Sequence, residues 1–364
     1  MVASARTAKL RERLVAENTD AVAITSVANI AYCTGWSGVF DDEPAHVVLV
    51  GAAGAAIFTD GRYIEALRTA ARGTEWQVRL VTDWLVQAVA EELRAVGATR
   101  LALETSLSHA RFEGFSAAHS GDVIEATGWV EELRATKDSE EISAIEAAQA
   151  LTDSAFRHIV EDGVVCAGAL ERDIALELEF FMRKEGSEGV AFPPIVASGP
   201  NSALPHAVPS ERKLAEGDFV VLDFGARVGG YCSDMTRTVV IGNATSRHRE
   251  IYDAALEANR VGIAAVAAGR PGREIDAEAR AVIAERGFGE YFGHGLGHGV
   301  GLEVHERPGL GPRSEAPVPL GAVVTIEPGI YVPGYGGVRI EDLAVVQEGG
   351  ARVLTRSTKE LLEL

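Results

Sequence analysis

Cysteine is scarce in this chain. There are 3, at Cys33, Cys166 and Cys232. An odd number at long spacings excludes a disulfide framework and a zinc ribbon, and leaves reduced, buried thiols in a cytoplasmic protein as the expectation. Positive charge is also in deficit. Lys and Arg number 34 against 53 Asp and Glu, a net charge of −19. That balance argues against nucleic acid and anionic membrane surfaces as partners. No run of about 18 uncharged apolar residues occurs, so no helix is expected to span a bilayer. The opening MVASARTAKLRERL is charged where a signal peptide needs an apolar segment, so none is expected. Fixed-period repeats and low-complexity tracts are absent.

What remains is an ordinary globular composition, 47% apolar over 364 residues. At roughly 100–200 residues per domain, that length suggests two domains. Residues 4–18 carry Leu10 and Leu14 on one side and charges on the other, which predicts an amphipathic helix. Ala21–Thr25 predicts a strand, and the runs His46–Val50 and Ala55–Thr59, with Gly51 and Gly54 between them, predict a hairpin. Asp83–Val96 has a helical pattern with Asp83 as its cap, and Arg100–Leu103 is strand-like. This alternation reads as an α/β domain over residues 1–131.

The texture then changes. Lys137–Glu161 predicts a long helix capped by Asp138 or Ser139, with acids in its first turn, where the helix dipole favours them. Further helices are expected over Gly168–Lys184, Ser246–Ala267 and Gly272–Glu285. Between and after them lie short strand-like runs broken by Gly and Pro, such as FVVLDFGARV and AVVTIEPGIYV. Residues 132–364 therefore read as an α+β domain with mostly antiparallel strands.

Four features of this second domain carry chemistry. Asp223 ends the buried-strand pattern VVLDFG and Asp234 opens the next strand, with Gly229 and Gly230 between them suited to a tight turn. Two apposed carboxylates repel unless a cation sits between them. The segment FGHGLGHGVGLEVHE holds His294, His298 and His305 among five glycines, in a chain with 9 histidines. Backbone so rich in glycine is a poor helix but lets imidazoles approach a ligand closely. Glu327 follows the apolar run AVVTI and precedes Pro328, which ends the strand and fixes the direction of the carboxylate. In GVRIED, period-two alternation puts Arg339 and Glu341 on one strand face and Ile340 on the other. A carboxylate aimed at a core needs an arginine or a metal. Together these give four carboxylates and one imidazole at strand ends. Such an oxygen-rich set suits Mn²⁺, Co²⁺, Fe²⁺ or Zn²⁺ better than a cysteine-based structural site. Two such ions about 3.5–4 Å apart can share a water and lower its pKa toward neutrality.

The motifs NSALPHAVP, VVLDFG, YCSDMTRT, GHGLGHGVGLEVHE, VVTIEPGIY and GVRIED resemble, in order and spacing, those of the aminopeptidase P / prolidase group of pita-bread metallopeptidases. FTDGRY and ELRATKDSEEI resemble that group's first domain and domain junction, so the resemblance covers nearly the whole chain. It implies a pita-bread catalytic domain behind a smaller α/β domain, and hydrolysis of the Xaa-Pro bond of a peptide or dipeptide. It implies two divalent ions, Mn²⁺ first, with Asp223 on one, His298 and Glu327 on the other, and Asp234 and Glu341 bridging. It places His206 near the substrate carbonyl, His305 at the tetrahedral intermediate and His294 on the proline side. Glu327 becomes the proton shuttle, and Tyr331 and Arg339 orient the ligands. Phe192 and Pro193 lie in a loop suited to the proline pocket. A homodimer is implied as well. Creatinase-type relatives lack the metal ligands, and methionine aminopeptidases usually lack the first domain. A same-fold metal-dependent hydrolase or lyase of a small non-peptide molecule is the alternative, and a non-catalytic binding module is the reading from another class.

Overall fold

The computed structural model describes residues 2–41, 43–52 and 54–364, with side chains from residue 5 onward. The chain divides into two compact units, Met1–Arg134 and Ala135–Leu364. Both mix helices and sheets, in the two-domain α+β organisation expected from the sequence.

The first unit is built on one six-stranded sheet. Its strands lie in the order Trp76–Leu80, Gly54–Thr59, Val47–Gly51, Ala21–Ile24, Arg100–Glu104 and Asp122–Ala126. The expected hairpin forms the middle, with Gly51 opposite Gly54 at its turn. Trp76–Leu80 joins it in parallel on one side; on the other, Ala21–Ile24 joins it antiparallel and continues in parallel to Arg100–Glu104 and Asp122–Ala126. Leu49, Phe58, Val89, Leu93, Leu101 and Phe115 close the core between sheet and helices. The helix expected from Asp83 spans Leu85–Ala95 instead, and its cap position is taken by Trp84, which makes no side-chain cap bond. Asp83 stands one residue too early to reach the free N–H groups of the first turn.

In the second unit the helix Ser139–Glu161 starts on Asp138. The Asp138 carboxylate accepts from the Glu140 and Glu141 backbones at 2.9 Å, and Glu141 accepts from the Asp138 backbone at 3.0 Å. This reciprocal arrangement satisfies donors that the first turn otherwise leaves open. The other expected helices span Glu171–Lys184, Ser246–Ala265 and Gly272–Glu285. Phe219–Phe224 lies between Ile195–Ser198 and Met235–Val240, antiparallel to both. A five-stranded sheet runs Glu306–Leu310, Gly297–Gly299, Val323–Ile326, Asp342–Gln347 and Gly350–Val353. A two-stranded ribbon pairs Gly329–Val332 with Gly336–Arg339. The helix pair Ser246–Ala265 and Gly272–Glu285 packs Ile251, Ala255, Ile275 and Ala279 onto Val324, Ile326 and Ile340. The other pair packs Phe156, Ile159, Ile174 and Leu178 onto Val196, Leu222 and Met235.

Gly229 (φ 59°) and Gly230 (φ 81°) form the expected tight turn, joining Ala226–Val228 to Tyr231–Cys232. Left-handed backbone at two successive positions is the turn whose twist matches a hairpin. Glu188 accepts from both turn N–H groups at 2.9 Å. The cysteines depart from expectation in one case: Cys33 and Cys232 are buried, but Cys166 is exposed. It lies in the connection ahead of Glu171–Lys184 rather than on an inward strand or helix face. Among the described residues, no helix is long and apolar enough to cross a membrane.

Replacing Asp138 by alanine removes the cap of the longest helix. Urea titration should show the second unit destabilised by about 1 kcal/mol. An unchanged midpoint would show that the cap contributes nothing there.

Candidate metal centre

The acids singled out in the sequence stand where strands stop. Asp223 is the penultimate residue of Phe219–Phe224 and lies opposite Thr236. Asp234 immediately precedes Met235–Val240. Glu327 and Glu341 occupy a shared break. Ile326 pairs with Asp342 in the five-stranded sheet, while Gly329 pairs with Arg339 in the ribbon. Glu327–Pro328 and Ile340–Glu341 lie between the two ladders. Pro328 has no N–H to give to a ladder, which suits it to this position. The continuous strand expected through Arg339–Glu341 is thus divided, and Arg339, Ile340 and Glu341 are all buried.

His298 is the middle residue of Gly297–Gly299. A Cβ at Gly297 would lie 2.0 Å from the Thr325 carbonyl oxygen. Only glycine lets this strand sit so close to Val323–Ile326. The His298 backbone donates to Thr325 Oγ1 at 3.0 Å, and the same hydroxyl donates to Glu327 Oε1 at 3.2 Å. One threonine therefore ties the imidazole's strand to the neighbouring carboxylate.

Asp234, His298 and Glu341 each bring a ligand atom within 4.8 Å of the others. His298 Nε2 lies 3.2 Å from Glu327 Oε1 and 3.7 Å from Asp234 Oδ2. Its Nδ1 meets the Gly299 carbonyl at 3.2 Å, which requires the proton there and leaves Nε2 as the nitrogen offered to a cation. Asp223 stands outside the group of three, with Oδ2 held by Arg339 Nη2. Among the described residues its buried Oδ1 has no hydrogen-bond partner.

The electrostatics point the same way. Burial, then repulsion from Glu341 and Asp223, pushes the Asp234 carboxyl well above the usual range. Burial, then repulsion from Glu327 and Asp223, does the same to Glu341. Asp223 is raised by burial even though Arg339 opposes the shift. Burial would raise Glu327 too, but the hydrogen bond and charge of His298 hold it low. Carboxyls in such a state release their protons when a cation replaces them. An orphaned buried carboxylate oxygen, crowded acids and one imidazole fit divalent metal, and the oxygen-rich set suits Mn²⁺, Co²⁺, Fe²⁺ or Zn²⁺.

Behind the acids, Arg339 organises a second layer. Nη1 donates to Tyr331 Oη at 2.8 Å and to the Pro205 carbonyl at 3.2 Å, and Nε donates to Thr236 Oγ1 at 2.9 Å. Thr236 in turn donates to Glu341 Oε2 at 2.7 Å. His294 Nδ1 donates to the Gly295 carbonyl at 2.7 Å, so its Nε2 accepts from Tyr331 Oη at 2.9 Å. A chain of contacts thus runs from Asp223 through Arg339 and Tyr331 to His294, with a branch to the carbonyl just before His206.

The acids, Arg339 and the histidines face one cavity of about 490 Å³. His206, His294 and His305 line it beside Asp223, Asp234, His298, Glu327 and Glu341. The His305 ring tilts against that of His298, with centroids 4.2 Å apart. Phe192 and Pro193 form part of the apolar wall, with Pro194, Ile195, Val208 and Val304. Those last four, and the hydroxyls of Thr236 and Thr325, were not singled out in the sequence. Each threonine stands two residues from an acid, so period-two alternation was the available signal. Nothing local marks the wall residues, which come from three separate segments.

Residues 143–348 match the model of metallopeptidase family M24, and residues 6–136 match the creatinase/prolidase N-terminal domain. The chain is 41% identical over 263 residues to the Xaa-Pro dipeptidase of Pyrococcus furiosus, covering 72% of this chain and 75% of that one. It superposes on the Xaa-Pro dipeptidase from Bacillus anthracis with a TM-score of 0.93 at 41% identity, over 100% of both chains. Against the X-Pro aminopeptidase from Thermotoga maritima the TM-score is 0.87 at 36% identity, over 97% of this chain and 99% of that one.

Gly297→Ala should drive its new methyl into the Thr325 carbonyl and displace His298. Disturbing what holds a metal ligand in place costs about 10–100-fold in affinity. Equilibrium dialysis against Mn²⁺ should show uptake falling while the far-UV spectrum holds. Full uptake in this variant would contradict the close-packing argument.

Proposed function

The chain belongs to metallopeptidase family M24, and from that premise we propose that it hydrolyses the peptide bond in front of proline with two divalent cations held by Asp223, Asp234, His298, Glu327 and Glu341. The observation that carries this reading is the convergence of those five side chains, the four acids from strand ends and His298 from mid-strand, on a cavity whose remaining wall is largely apolar. An apolar wall of Phe192, Pro193, Ile195 and Val304 suits a pyrrolidine ring. The relatives named for Xaa-Pro cleavage support the same substrate.

When bound, the cations would polarise the scissile carbonyl and bring the pKa of a water toward neutrality. The chain's own residues supply the rest. His206 and His305 stand on the cavity wall as donors for the oxyanion that develops on the carbonyl. Glu327, fixed by Thr325 and His298, accepts the proton of the attacking water. It then passes that proton to the proline nitrogen. This nitrogen is a tertiary amide with no N–H, so it must be protonated to leave. His294, held through Tyr331, closes the proline side. Mn²⁺ is the first metal to test, because the ligand set is mostly carboxylate oxygen.

Prolonged EDTA treatment should abolish turnover, and Mn²⁺ or Co²⁺ should restore it. Activity that survives complete chelation would contradict the metal reading. His298→Ala should lose both turnover and bound metal, whereas full activity in that variant would refute its assignment as a ligand. With metal defined, Xaa-Pro and Xaa-Pro-Xaa substrates should outpace Xaa-Ala by about 100-fold or more in kcat/KM. Equal rates on Xaa-Ala would reject the proline pocket, and no turnover on any peptide would favour a small-molecule substrate.

A further inference from the structure

We propose that Asn259 is a positioning residue that sets the spacing of Glu327 and Glu341, and this rests on the reading that those two acids hold cations. Asn259 is fully buried on the inner face of the helix Ser246–Ala265. Its Nδ2 donates to the Ile326 carbonyl at 2.9 Å and to the Ile340 carbonyl at 3.2 Å. These are the carbonyls immediately before Glu327 and Glu341. One planar amide therefore grips both chains at the break where neither the five-stranded sheet nor the ribbon runs through.

The helix comes close enough for this because of Gly262, one turn further on. A Cβ there would lie 2.8 Å from Ile326 Cγ2. The amide itself is held in orientation from outside. Lys359 Nζ donates to Asn259 Oδ1 at 2.9 Å and to Asp342 Oδ2 at 2.6 Å. Contact with an ammonium fixes which end of the amide is oxygen, so both N–H groups must point at the two carbonyls. Arg237, also buried, donates to Asp342 Oδ1 at 2.8 Å and to the Glu341 carbonyl, and its remaining N–H groups reach the Thr236 carbonyl at 2.9 Å and the Ser357 and Thr358 carbonyls at 2.8 Å. The clamp thus runs from the helix, across the sheet break, to residues 357–359. None of Asn259, Lys359, Arg237 and Asp342 lines the cavity, so the clamp's effect on the reaction passes through the two acids.

The test uses the full chain, stripped of metal by chelation and titrated calorimetrically with Mn²⁺ alone. Asn259→Asp keeps the size of the side chain and the acceptor for Lys359, but it cannot donate to both carbonyls. The Mn²⁺ Kd should rise at least about 10-fold, as for residues that hold metal ligands from behind. Turnover at limiting Mn²⁺ should fall in parallel, with KM for an Xaa-Pro substrate changed less than about two-fold. A variant with a lowered Tm but the wild-type Kd would overturn the proposal, because a merely structural role predicts that pattern. If Asn259→Asp is not recovered folded, Lys359→Met, at a partly exposed side chain, carries the test. It should raise the Kd in the same direction by a smaller factor, and an unchanged Kd would overturn the proposal. A wild-type chain that takes up no Mn²⁺ would remove the reading itself, and the proposal with it.

Discussion

Four carboxylates turned toward one buried wall cannot all stay ionised unless positive charge lies among them. Arg339 supplies one such charge, to Asp223. Among the described residues, neither Asp234 nor Glu341 forms an ion pair with an arginine or lysine; the charge of Arg339 pulls both down, yet burial and the neighbouring carboxylates push both well above the usual range. A fold that buries acids in this way is under strain until a cation arrives. On this account the strain is what makes the site bind. The free energy lost to crowding in the metal-free state is recovered when the ions displace protons.

The backbone that creates this crowding is made of interruptions. A continuous ladder in the register of Ile326–Asp342 and Gly329–Arg339 would set Glu327 directly opposite Glu341 on one face and give their polar backbone to each other. Instead both strands stop together, and the acids lie in the gap between two sheets. Stopped strands expose polar backbone, and that exposure has to be satisfied locally. Asn259 does so for the Ile326 and Ile340 carbonyls, and Arg237 does so for Glu341 and the terminal segment. The polar groups behind the site and the acids within it follow from the same architectural choice.

Much of this was legible in the sequence. The helices expected over Ser246–Ala267 and Gly272–Glu285 form, the first ending at Ala265, and of the two caps offered for the long helix, Asp138 and Ser139, Asp138 is the one used. Asp223 and Glu327 were visible because each ends an apolar run close to Gly or Pro, Asp234 because it opens the strand after the Gly229–Gly230 turn, and Glu341 because alternation put it on one face with Arg339. Other features were not. Asp83 has the chemistry of a cap but the wrong distance to its helix, which a one-residue shift in backbone direction decides. Cys166 reads as any other isolated thiol, and its exposure depends on where a connection runs. Asn259 looks like an ordinary polar residue in an amphipathic helix. Its role depends on two strands that are about 70 residues and more away in sequence, a separation that no local pattern reports.

The most direct test of the central claim is the anomalous scattering of Mn²⁺ in crystals of the metal-loaded protein. Two peaks are expected, about 3.5–4 Å apart, among Asp223, Asp234, His298, Glu327 and Glu341. A Mn²⁺-saturated crystal with no density there, or with metal only at surface acids, would contradict it.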